Sequence, residues 1–278
     1  MPSSALARGC SSTAPATPVP EADAPAWSVQ TVDRWFSGFT QLWGINDAGD
    51  VVGSSLAGGF LWRQGVFEDL PAPAGARYAT PFGISNQGLV VGTWCAAGSN
   101  RRRGFLAIDG VCSVFDFLPE PDASTLLRGI SPDGRYLTGS CIDTRGRQRG
   151  FAIDRCLGTV STTAEGLSLQ GGNRAGLVAA GAALFDVGTG QCAPLPRSSQ
   201  ATPRCRAIND EGLMAGFCSR GGPSRAVVGT LARGFHELPL SQQAWSVAQG
   251  LNGAGDVVGC YQDLQGRSRG FLATRRPG

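Results

Sequence analysis

The chain contains no lysine, a single histidine (His236), no Cys-x-x-Cys pair and no apolar run approaching the roughly 20 residues a membrane-spanning helix requires. Each absence narrows the reading. With no lysine, all 24 basic residues are arginines, which carry fixed charge on a planar fork of donors. One histidine and no paired cysteine spacing leave nothing that resembles a zinc site. His236 falls in the expected outer strand Gly234-Phe235-His236-Glu237-Leu238, at the rim where exposure is expected, which argues against a Ser-His-Asp triad. No long stretch shows helical periodicity, whereas 41 glycines, 17 prolines and short β-branched runs bounded by turn residues argue for an all-β fold.

What the chain has in abundance is one repeated turn. The copies read GINDAGDVVG from Gly44, GISNQGLVVG from Gly83, GISPDGRYLTG from Gly129, GGNRAGLVAAG from Gly171, AINDEGLMAG from Ala207 and GLNGAGDVVG from Gly250. Asn46, Ser85, Ser131, Asn173, Asn209 and Asn252 open the turns, and such short polar side chains bond the backbone two residues on. Gly49, Gly88, Gly134, Gly176, Gly212 and Gly255 close them, as the left-handed position at the end of a type I hairpin loop demands.

The closing glycines recur at about 40 residues, a period that holds four short strands and is the signature of a β-propeller blade. The second copy shows all four, at 79–84, 89–95, 104–108 and 111–117, here called a to d from the axis outward. The last copy stops after its third strand, 270–274, while residues 27–32 ahead of the first copy resemble an outer strand. Pairing the two termini would remove an open sheet edge and gives a six-bladed propeller over 27–278. An open array of β units is the alternative.

Residues 1–26, rich in Pro, Ala, Ser and Thr, are expected to be a disordered tether. Residues 6–12 resemble the end of a bacterial lipoprotein signal with Cys10 as the lipidated residue, although Arg8 stands where a small residue is usual and no hydrophobic region precedes it. The other eight cysteines suit disulfides in an oxidising compartment. Candidate pairs are Cys95 with Cys112, Cys141 with Cys156 and Cys205 with Cys218, and the alternative is that several are small buried hydrophobes.

The turn motif and the strands after it resemble the bacterial extracellular repeats of the HAF family, over most of residues 27–274. The family's GIN-x-x-G-x-VVG turn is met closely by the first copy and recognisably by the rest. Its name-giving His-Ala-Phe triplet departs, reading Gly58-Gly59-Phe60, Arg103-Gly104-Phe105, Arg149-Gly150-Phe151, Ala183-Leu184-Phe185, Arg225-Ala226-Val227 and Arg269-Gly270-Phe271, with no histidine in any copy. The resemblance implies secretion or surface display and a propeller-like fold, and offers no catalytic residues to carry over.

Two features are candidates for binding. Arginines crowd the loops between strands b and c: Arg101, Arg102 and Arg103, then Arg145, Arg147 and Arg149, then Arg220 and Arg225, then Arg267 and Arg269. Strand alternation puts these loops on one face, where they could hold an anionic glycan, a lipid headgroup or an acidic protein. The alternative is a solvated face, partly neutralised by Asp143 and Asp263. At the axis, Trp43, Phe82, Arg128, Gln170, Arg206 and Gln249 precede the repeat glycine or its equivalent, a set suited to a sugar or small carboxylate. Packing between blades is the competing role.

The expected function is therefore an exported, noncatalytic binding module, monomeric, without cofactor, metal or specific nucleic-acid partner, and touching a membrane only through lipid on Cys10. The alternative is a propeller hydrolase or lyase acting on an extracellular polysaccharide. No pair of carboxylates among the 21 scattered acids stands out as a glycosidase needs. Ser131-Pro132-Asp133-Gly134 is an ordinary copy of the turn rather than a sialidase-type Asp-box, and Asp47 with Asp50 falls short of a calcium site.

Overall fold

The computed structural model of the protein describes residues 27–34, 38–196, 202–219, 221–241 and 243–275. The tether, Cys10 and Arg220 lie outside the described residues. Within them, twenty-three strands form six separate antiparallel sheets and there is no helix. β1 (Trp27–Val32) precedes the first complete blade, which is β2 (Thr40–Ile45), β3 (Val51–Ser55), β4 (Gly58–Arg63) and β5 (Val66–Asp69). The second is β6 (Ala76–Ile84), β7 (Val90–Ala96), β8 (Arg102–Ile108) and β9 (Val111–Phe115). The third is β10 (Ser124–Ile130), β11 (Tyr136–Ile142), β12 (Gln148–Asp154) and β13 (Thr159–Glu165).

The fourth blade is reduced to β14 (Leu177–Ala179), β15 (Ala183–Asp186) and β16 (Cys192–Pro194). Its inner segment meets β14 through a single Gly172–Val178 bridge and hydrogen bonds to Ala179. The fifth is β17 (Arg204–Ile208), β18 (Met214–Cys218), β19 (Arg225–Thr230) and β20 (Gly234–Glu237). The sixth, β21 (Gln243–Leu251), β22 (Val257–Asp263) and β23 (Ser268–Arg275), takes its outer strand from β1. Trp27 pairs with Arg275 and Val32 with Gly270, so the chain closes as a six-bladed β-propeller.

The repeated turn forms as its residues dictate. Asn46 Oδ1 accepts from the N–H groups of Ala48 at 3.1 Å and Asp50 at 2.9 Å, and Gly49 takes φ of 82°. All six closing glycines have positive φ. The amide end of the asparagine has a second use. Asn46 Nδ2 donates to Ser85 O, Asn173 to Asn209 O, Asn209 to Asn252 O and Asn252 to Asn46 O, each reaching the turn of the next blade. Serine at Ser85 has no amide to donate, and there the Asn86 N–H reaches Pro132 O at 2.8 Å instead.

The core is divided into six clusters, each between neighbouring blades. The paired valines of the motif serve two of them: Val51 packs with Phe60 and Val258 on one side of its blade, Val52 with Phe105 on the other. The glycine after each pair faces a phenylalanine across the sheet, Gly53 to Phe60, Gly92 to Phe105, Gly139 to Phe151 and Gly259 to Phe271. These rings are fully buried, each worth about 2–3 kcal/mol of transfer free energy. The phenylalanine of the triplet is thus a core residue that fills the space the missing glycine side chain leaves.

The expected disulfides do not form: all eight described cysteines are free. Cys95 and Cys112 pair with Arg102 and Ala107 towards opposite ends of the intervening strand β8, beyond the 7 Å Cα reach of a disulfide. Cys141 pairs with Arg149 near the start of β12, whereas Cys156 lies past the end of that strand. Cys205 faces Gly216 rather than Cys218, which leaves the two cysteines on a diagonal of about 7–8 Å. Cys95, Cys141, Cys205, Cys218 and Cys260 are buried, filling core space as small hydrophobes do.

Candidate functional site

Six inner segments run alongside the axis, and each carries an extra residue at the same place. The pairing register shifts at Leu42/Gly44, Pro81/Gly83, Leu127/Gly129, Cys205/Ala207 and Ala248/Gly250. In the fourth blade the Gln170 N–H and the Gly171 carbonyl both bond Ala179, the two-against-one pattern of a β-bulge. The bulged residues are Trp43, Phe82, Arg128, Gln170, Arg206 and Gln249, and all six line one axial cavity. Its volume is about 70 Å³, room for roughly five waters.

Two consequences of the bulge are visible in the neighbouring residues. Leu42 and Ile45 share one core cluster, as do Leu127 and Ile130, although strict alternation would send residues three apart to opposite faces. The glycines after the bulge let the inner strands converge: a Cβ on Gly250 would lie 2.8 Å from Trp43 O, and one on Gly44 3.0 Å from the Gly83 Cα.

The ring of side chains is two-sided. Trp43 and Phe82 meet edge to face with centroids 4.9 Å apart, and the Trp43 indole N–H donates to Ser54 Oγ at 2.9 Å. Arg128 lays its guanidinium over Phe82, 4.2 Å from the ring centre, and Arg206 lies 5.4 Å from the centre of Phe217. Neither guanidinium has a carboxylate or hydrogen-bond partner among the described residues, and Arg206 Nε is buried without one. Burial, then repulsion from Arg206 and Arg102, pushes Arg128 down to about 10. Burial and the charge of Arg204 lower Arg206 in the same direction. The remaining wall is amide: Gln170 donates to Ser168 Oγ at 3.1 Å.

Burial, against a hydrogen bond from Gln249 and the charge of Arg206, pushes the Cys260 thiol up to about 12. His236, expected to be exposed at the rim, is instead half-buried on the outer strand β20, with burial and then Arg275 lowering its pKa.

The arginine face is different in kind. Arg102, Arg103, Arg149, Arg225 and Arg269 lie within strands rather than in the b-to-c loops. Most are engaged. Arg101 and Arg103 share Asp116 at 3.2 and 2.6 Å, Arg147 pairs with Asp143, and Arg267 with Asp263. Arg101 donates to Ala123 O, Arg225 to the carbonyls of Gln243 and Ala244, and Arg269 to Asp33, each tying its blade to the segment entering the next. Among the described residues, the guanidiniums of Arg102, Arg145 and Arg149 have no such partner.

Comparison with solved structures agrees with the ring. A puromycin hydrolase mutant superposes with a TM-score of 0.51 at 16% identity, over 90% of this chain and 47% of the other. One of two prolyl endopeptidases gives 0.51 at 13% identity, over 91% and 43%. An oligogalacturonate lyase from Vibrio parahaemolyticus gives 0.47 at 10% identity, over 89% and 85%. This chain spans about half the length of the first two of these, and at such identities their likeness shows the propeller fold alone. No protein-family model matches the chain, and no curated protein is similar to it in sequence.

Proposed function

We propose that the protein is a noncatalytic binding module whose axial cavity takes a small anionic ligand, a carboxylate borne on a sugar-sized body. One observation carries the reading: Arg128 and Arg206 line the cavity with no anionic partner, whereas most arginines of the outer face already have one. Two guanidiniums held in a partly desolvated space repel each other, and a carboxylate between them relieves that repulsion while gaining charge-assisted hydrogen bonds. Trp43 and Phe82 offer the apolar wall on which a sugar ring rests, and Gln170 and Gln249 offer amides for hydroxyls. Among the described residues, the one carboxylate of the lining, Asp47, is already engaged by Arg174, Asn86 and Gly253, which favours binding over turnover. Export and lipid attachment at Cys10 belong to the same proposal and are carried by the sequence resemblance.

The test is a thermal-shift and calorimetry screen of sugar acids and small mono- and dicarboxylates beside their neutral counterparts. A carboxylate should bind and its neutral counterpart should not. Arg128→Gln and Arg206→Gln should each weaken binding about tenfold to a hundredfold, the worth of one charged hydrogen-bond donor. Equal binding by the double variant, or turnover of any compound that survives repurification, would overturn the reading.

A further inference from the structure

Asp47 and Arg174 open a second question, because they stand in the first and fourth blades, on opposite sides of a six-membered ring. Even so, Arg174 Nη2 lies 3.1 Å from Asp47 Oδ2. A side-chain contact between opposite blades has to cross the axis, and both residues sit in the turns that close strands a onto b. The pair is held from every side. Asp47 Oδ1 accepts the Gly253 N–H at 2.7 Å and Oδ2 accepts from Asn86 Nδ2 at 2.7 Å. Arg174 Nη1 bonds Asp210 Oδ2 at 2.7 Å, and its backbone N–H bonds Asp210 Oδ1 at 2.8 Å. Asn86 in turn donates its N–H to Pro132 O, so turns from all six blades join one network over the end of the cavity.

The two ends of the axis therefore differ. The turn end carries two carboxylates around one guanidinium, a closed and net-negative cluster. At the opposite end the inner strands begin, and there Arg102 and Arg204 stand exposed, with no ion pair or hydrogen bond to either guanidinium among the described residues. Arg204 opens β17 two residues before Arg206, and the Arg102 N–H bonds Ser124 Oγ at 3.1 Å, at the start of the strand β10 that carries Arg128, so four guanidiniums lead inward from that face.

We infer that the Asp47–Arg174 pair plugs the turn end of the axial cavity, and that anions reach Arg128 and Arg206 from the strand-start face, past Arg102 and Arg204. The plug makes the axis a pocket with one mouth. The cluster's acidic surplus repels anions at the closed end, while the four arginines focus them at the open one. The route rests on the binding reading given above, but the plug itself does not, and it can be tested without any ligand.

Trp43 lines the cavity and reports access to it. Its fluorescence is the difference between the protein and its Trp43→Phe variant, measured with the neutral quencher acrylamide and the anion iodide. Arg174→Gln should raise acrylamide quenching of the Trp43 share at least about twofold by opening the turn end. Arg102→Gln with Arg204→Gln should lower iodide quenching about twofold or more and leave acrylamide unchanged, because only the charged quencher feels the lost field. The unmutated protein supplies a check that needs no variant at residue 174: concentrated sodium chloride screens the half-exposed pair and should raise acrylamide quenching. Acrylamide quenching that is indifferent to both Arg174→Gln and salt would overturn the plug. Iodide quenching that is indifferent to the Arg102 and Arg204 changes would overturn the route. Failure of every carboxylate in the ligand screen would remove the binding reading and leave the plug standing.

Discussion

The Arg128 guanidinium lies 4.2 Å from the centre of the Phe82 ring, each the bulged residue of its own blade. The contact places a cation against the ring's negative face. It holds Arg128 in the cavity without neutralising it. A double-mutant cycle of Phe82→Leu and Arg128→Gln, read by denaturant unfolding, should give a coupling of about 0.5–2 kcal/mol. A coupling of zero would mean that burial alone positions the arginine.

The two glycines of each repeat have different duties, and substitution separates them. Gly49 has φ of 82° and open space around its missing Cβ, so Gly49→Asn, which tolerates left-handed backbone, should cost no more than about 1 kcal/mol. A Cβ on Gly53 would run into the Phe60 ring and lie 2.6 Å from Gln41 O. Gly53→Ala should cost about 3 kcal/mol or more, and Phe60→Leu should not rescue it, because the Gln41 carbonyl stays in place. Chemical denaturation of the three variants gives the comparison.

Legibility in the sequence depends on which interactions are local. The turn opened by Asn46 and closed by Gly49 is written in four consecutive residues, and its period gave the blades and the closure by residues 27–32. The six axial residues are legible too, since each precedes the repeat glycine or, at Arg206, its counterpart Ala207. Their bulge leaves only a faint mark: Leu42 and Ile45, or Leu127 and Ile130, are apolar three apart where a regular strand would put them two apart. The Asp47–Arg174 contact joins residues 127 apart in sequence, and no local pattern announces it. The disulfides failed for a related reason: spacing along the chain says little about which strands intervene, and β8 stands between Cys95 and Cys112.

Carboxylates held by arginines predict the acid side of the stability curve. Asp263 is drawn down to about 2: burial acts upward but is outweighed by the Arg267 N–H and the guanidiniums of Arg269 and Arg267. A hydrogen bond from Arg63, against burial, lowers Asp50. A carboxylate with a depressed folded-state pKa stabilises the fold fully above its unfolded value near 4. That contribution is lost as pH falls through the folded value, because the unfolded chain then binds more protons. Unfolding followed by circular dichroism should show stability falling between about pH 4 and pH 2. Asp263→Asn should be less stable at neutral pH and show a shallower slope in that window. A slope identical to that of the unmutated protein would mean that Asp263 does not contribute.

Closure by β1 gives the last prediction. Val32 is buried against Leu42 and Phe60 of the first blade while its strand pairs with β23 of the sixth. It therefore ties together the two blades between which the ring would otherwise open. Val32→Asp puts a carboxylate into that cluster without a partner, a change that costs several kcal/mol. It should also free the edge of β23 to pair with another chain. The expected outcome is early hydrogen exchange of the amides in β1, β23 and β2, well before those of β11 and β12, together with concentration-dependent association in light scattering. Uniform loss of protection across all six blades would instead mean that the ring unfolds as one unit and that the seam is no weaker than the rest.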